Sequence, residues 1–105
     1  MKEIVKMLKS TGLPFAYDHF AEGESPRPPF ICYLSSNSDN FAADGKVYFK
    51  INEIHIELYT DYKDLSVEKN LEEAMDSYGI FYEKSETWIQ SERLYEVLYT
   101  FEKEA

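Results

Sequence analysis

Apolar and polar residues alternate with a period of two through residues 47–60, VYFKINEIHIELYT, and this stretch predicts one long β-strand around which the other elements are placed. Val47, Phe49 and Ile51 share one parity, whereas beyond Asn52 and Glu53 the apolar set moves to Ile54, Ile56 and Leu58. A regular strand cannot change parity, so the pattern requires a β-bulge or a switch of buried face at that point, and a bulge is expected. At about 3.3 Å per residue the strand spans roughly 46 Å, while a domain of this length has a diameter of about 33 Å. Part of the strand must project.

Upstream, residues 3–10 place Ile4, Val5 and Leu8 on one helical face with lysines around the remainder, and Gly12 stands where a left-handed cap is needed. Leu13-Pro14 stops this helix. Residues 15–20, FAYDHF, alternate as a first strand, and AEGESPRPP forms a connector that Pro26, Pro28 and Pro29 stiffen toward polyproline II. Pro26 and Pro29 match a PxxP ligand pattern, but rigid delivery of the chain into the strand FICYL is the simpler role.

Residues 35–40, SSNSDN, are polar and turn-rich, and FAADGKVYF then sets Asp44-Gly45 between two runs able to pair. Asp-Gly is a strong type I′ hairpin signal. This hairpin opens the over-long strand, which makes it the candidate for the projecting part. Aromatic residues there, Phe41 and Tyr48, would find little of their own domain to pack against unless a partner covers them. Phe41, Asp44, Gly45, Tyr48 and Phe49 are therefore the candidate subunit or partner interface. The competing reading folds the hairpin back on the core.

A second helix is read in residues 61–79, with Asp64 or Ser66 as N-cap and Val67, Leu71, Ala74, Met75 and Tyr78 on one stripe. Gly79 is its C′ residue, and Glu72, Glu73 and Asp76 are expected on an acidic outer face. The chain ends in two strands, IFYEKSETWIQ and RLYEVLYTFEKE, with a turn near Ser91-Glu92. In the last, Tyr95, Val97, Tyr99 and Phe101 line one face and Leu94 and Leu98 mark the other. The fold expected is α+β, in the order α-β-β-β-α-β-β: two helices packed on one face of a largely antiparallel, mixed-curvature sheet, with a projecting β-hairpin. Ile4, Leu8, Ile31, Ile56, Leu71, Met75 and Leu98 are the expected core.

Composition narrows the function classes. The 105 residues, 44% hydrophobic and 16% aromatic, suit one core, so residues 1–105 are expected to be a single domain. A net charge of -9 repels polyanions, which argues against sequence-reading nucleic-acid binding. The lysine-rich amino-terminal segment has neither the apolar run of a signal peptide nor that of a membrane span, so a cytoplasmic location during synthesis and no membrane partner are expected.

Motifs for chemistry are weak. Cys32, the single cysteine, lies in the apolar PFICYL and reads as a small buried hydrophobe. Glu53, His55 and Glu57 share a strand face and imitate a metal site, but side chains two apart are separated by about 7 Å at Cα and converge poorly on one ion. No phosphate loop, CxxC pair or HExxH motif occurs. The expectation is no enzyme, with no catalytic, cofactor-binding or metal residues and no cofactor.

The order of motifs resembles the small tail-terminator and tail-completion (head-to-tail joining) proteins of long-tailed bacteriophages and prophages. The likeness rests on the opening helix with KSTGLP, on EGESPRPPFICYL, on KINEIHIELYT followed by DYKDLSVEKNLEEA, and on ETWIQSERLYEVLYTFE. It covers nearly the whole chain. The resemblance implies a structural virion-assembly protein that forms a ring, commonly a hexamer, at the head-proximal end of the tail tube. Its partners would be copies of itself, the tail tube protein and the head connector protein, with DNA only as passing cargo. Its place would be the virion tail, reached from the bacterial cytoplasm during assembly. Two other classes compete: a small acidic binding or inhibitor module imitating nucleic acid, and an enzyme using Cys32 with a histidine.

Overall fold

The computed structural model describes residues 2–43 and 46–104, with side chains described outside residues 36–51 and 104. The elements are α1 (Lys2–Ser10), β1 (Phe15–Tyr17), β2 (Phe30–Ala43), β3 (Lys46–Thr60), α2 (Leu65–Ser77), β4 (Glu83–Ile89) and β5 (Leu94–Glu104). They form an α+β fold whose five-stranded sheet has the order β1-β2-β3-β5-β4. Neighbours are antiparallel except β1, which runs parallel to β2.

Alternation along the strands assigns the two faces. Ile54, Ile56 and Leu58 on β3 are level with Phe101, Tyr99 and Val97 on β5, and Tyr33 and Ile31 on β2 continue the same rows. All of these are buried, and Ile4, Met7 and Leu8 of α1 with Leu71 and Met75 of α2 close over them. Both helices therefore lie on one face. Asn70 Nδ2 ties them together by donating to the Thr11 carbonyl oxygen at 2.9 Å.

The caps explain where α2 begins and ends. The Asp64 side chain accepts from the Val67 N–H at 3.2 Å and from Ser66 Oγ at 2.8 Å, satisfying an amide that the first turn leaves unpaired. At the other end Gly79, with φ 68°, donates to the Asp76 carbonyl oxygen, and Ile80 donates to that of Met75. This is a Schellman closure, and it depends on a residue that tolerates positive φ. Because Ile80 completes the cap, β4 starts only at Glu83, later than the apolar run IFY predicts.

Three expectations are corrected. The first strand stops at Tyr17 because Asp18 adopts φ 65°, turning the chain into the connector instead of extending to Phe20. The Pro28-Pro29 peptide is cis, so that step of the connector is not polyproline II. Leu98 is level with Glu57 on the face away from the helices and is only half-buried, so it lies outside the core.

The parity change in the long strand also resolves differently. β3 pairs with β5 without a shift from Ile51 to Thr60. The irregularity at that level is carried by β2, where Ser36 and Asn37 stand against Glu53 alone between the Ser35–Ile54 and Ser38–Asn52 pairs. A second shift leaves Tyr48 as an extra residue on β3, between the Phe41–Phe49 and Ala42–Val47 pairs.

Candidate functional site: the strand ribbon and the open sheet face

β5 ends opposite Ile51, but β2 and β3 continue to pair with each other as far as Ala43 and Lys46. Among the described residues this leaves a two-stranded ribbon about 15 Å long beyond the third strand. The long axis of the molecule, 50 Å against 29 and 22 Å, follows from such an extension. Of the predicted interface residues, Phe41 and Phe49 form a directly opposed backbone pair and Tyr48 is the bulged residue. Asp44 and Gly45 lie outside the described residues, as do the side chains of Phe41, Tyr48 and Phe49.

The face of the sheet away from the helices is the second candidate surface. Its β2 end is covered by the connector: Phe20 meets Phe30 edge-on at 5.5 Å, and Phe30 stacks on Tyr59 at 5.2 Å. Farther across, Glu53, His55 and Glu57 do share this face, but they do not converge. His55 Nε2 lies 2.9 Å from Glu53 Oε1, whereas Glu57 turns to Tyr59. Tyr59 Oη is 3.1 Å from Glu57 Oε1 and 2.8 Å from Glu96 Oε2. One phenolic proton serves one carboxylate at a time, so the two carboxylates compete for it. Burial and then the charge of Glu96 hold the Glu57 carboxyl above the ordinary range, and burial with the flanking carboxylates raises the Tyr59 phenol.

Cys32, opposite Glu57 on the neighbouring strand β2, is buried. Burial, followed by the charges of Glu57, Asp18 and Glu96, pushes its thiol up to about 11, which keeps it in the weakly nucleophilic protonated form at neutral pH. The other histidine, His19, pairs with Asp18 at 3.0 Å in an exposed position. Among the described residues no cluster of His, Cys, Asp and Glu is arranged to hold a metal ion.

On the helix face, sequence reasoning missed an ionic network. Glu72 is not on an outer surface. Its carboxylate accepts from Tyr99 Oη at 2.6 Å and from Lys84 Nζ at 2.7 Å. Glu68, one turn earlier and buried, pairs with Lys63 Nζ at 2.8 Å and meets Lys84 Nζ at 2.8 Å outside hydrogen-bond angles. Lys63 also pairs with Glu86. Burial disfavours the charged form of both Glu68 and Glu72, but the lysines outweigh it and hold both carboxyls below the ordinary range. These contacts join α2 to the edge strand β4. The only sequence signal was the i, i+4 spacing of Glu68 and Glu72, which solvent-facing pairs share.

No helix among the described residues is long and apolar enough to cross a membrane. No family model matches the chain, and no curated protein matches it either.

Proposed function

We propose that this chain is a structural protein of a phage tail, which caps the head-proximal end of the tail tube as a ring, ends tube polymerisation and helps join tail to head. The observation that carries the reading is the ribbon formed by β2 and β3 beyond Ile51. A two-stranded extension is marginal alone and gains stability when a neighbour covers it. An arm reaching to the next subunit is a heterologous contact, which closes into a ring when the rotation permits. The resemblance of the four sequence motifs to tail-terminator and tail-completion proteins supplies the particular assembly. Imaging of the protein mixed with its own tail tube protein tests this: rings should sit at one end of tubes of limited length. Tubes with bare ends and unrestricted length would contradict it.

The carboxylates Glu53, Glu57, Glu96 and Glu102 on the open sheet face favour a second reading, an acidic module that imitates the charge spacing of nucleic acid. That reading requires a stable monomer that competes with DNA for a DNA-binding enzyme.

A further inference from the structure

The described lysines divide into two groups. Lys63, Lys69, Lys84 and Lys103 are each in an ion pair. Lys2, Lys6 and Lys9 are all exposed, and among the described residues none has a carboxylate partner. They flank half-buried Val5 in a shallow groove along α1. Since Ile4, Met7 and Leu8 point into the core, helical geometry sends this lysine face directly away from the sheet. In a chain of net charge -9 it is a local basic surface.

The opposite layer carries its complement. Glu53 on β3 and Glu102 on β5 are directly opposed on the open face, a like-charge pairing that disfavours the isolated sheet. Glu83, Thr100 and Phe81 complete a shallow hollow with them. Phe81 is 97% exposed, the most exposed large apolar residue described. A cationic face bearing a small apolar strip would neutralise the opposed carboxylates and cover this ring, on which lysine ammonium groups also bind well.

We propose that the α1 lysine face of one copy docks on the Glu53–Glu83–Glu102 hollow of a second copy. The two surfaces share no residue, so their contact joins unlike patches of two copies and is heterologous, as a ring requires. The assignment rests on the ring reading and names which faces meet, in addition to the ribbon.

The experiment uses the full chain in three forms: wild type, the Lys6→Glu/Lys9→Glu variant and the Glu83→Lys/Glu102→Lys variant. Thermal melts first establish that each folds. Sedimentation at millimolar protein and low salt should show the wild type associating beyond a dimer, each variant alone monomeric, and an equimolar mixture of the variants associating beyond a dimer again, because both junctions between unlike variants pair opposite charges. Added salt should dissolve these complexes. A wild type that associates while the variants associate equally well overturns the proposed faces and leaves the ring reading standing. A mixture that stays monomeric, together with a monomeric wild type, also overturns the proposed contact. In that case the ring reading is judged separately by tube-end imaging.

Discussion

Glu68 on α2 and Lys84 on β4 face each other at 2.8 Å, with the carboxylate side chain only 3% exposed and the ammonium group partly in water. The pair matters because β4 is an edge strand, held on one side by β5 and over its face by these charges. Removing one member of a buried pair leaves the other charge with too few partners.

Lys84→Ala should therefore destabilise the protein by about 2 kcal/mol at neutral pH, the buried-pair penalty reduced because Lys84 is partly solvated. The effect depends on pH in a definite direction. Glu68 and Glu72 have depressed folded values, so their contribution is present above the unfolded value of 4.5 and is lost as pH falls through the folded ones. Denaturant melts across that range should show the cost of the substitution shrinking with acidification.

Glu57 has the opposite sign. Its folded value is raised, so in the interval above 4.5 the native state holds the proton more tightly and stability falls as pH rises. Glu57→Gln should stabilise the protein by about 0.5 kcal/mol at neutral pH by ending the competition with Glu96 for the Tyr59 proton. Below 4.5, where the native carboxyl is itself protonated, the gain should disappear from the same melts.

Two leucines test the assignment of the faces. Leu71, buried between α2 and the sheet, should cost about 2 to 5 kcal/mol on replacement by alanine. Leu98, half-buried on the open face, should cost about 1 kcal/mol because its cavity opens to solvent. Reversible denaturant melts that ranked them equally would mean the two sheet faces are wrongly distinguished.

Much of this architecture was legible because it rests on local rules. Asp64 and Gly79 bound α2 through hydrogen bonds and a positive φ that depend on residues close in sequence. The parity of β3 marks Ile56 for the core, whereas β5 is apolar on both faces and its pattern alone does not choose between Val97, Tyr99 and Phe101 on one side and Leu94 and Leu98 on the other. What escaped depends on partners far apart in the chain. Nothing near Glu72 reveals that Tyr99 and Lys84 will meet it, so its charge read as solvent-facing. The parity change after Ile51 marked an irregular ladder, but which strand carries the extra residue is set by pairing and not by either strand alone. Leu98 reads as core because it is a large apolar residue in a strand apolar on both sides, and which side the helices cover is set by packing between distant elements. For the ribbon, the over-long strand is the signal, since its length exceeds the diameter of a compact domain of this size.

The most direct test of the phage-tail reading separates folding from assembly at the ribbon. Phe41→Ser/Tyr48→Ser, or removal of residues 42–47, alters a segment whose backbone, among the described residues, pairs beyond Ile51 only within the ribbon, so the isolated protein should melt nearly as the wild type does. The measurement is complementation of a phage lacking this gene. The proposed function predicts that the ribbon variants fold yet yield unjoined heads and tails, or tails of uncontrolled length. Normal tails from a folded ribbon variant, or variants that fail to fold at all, would contradict it.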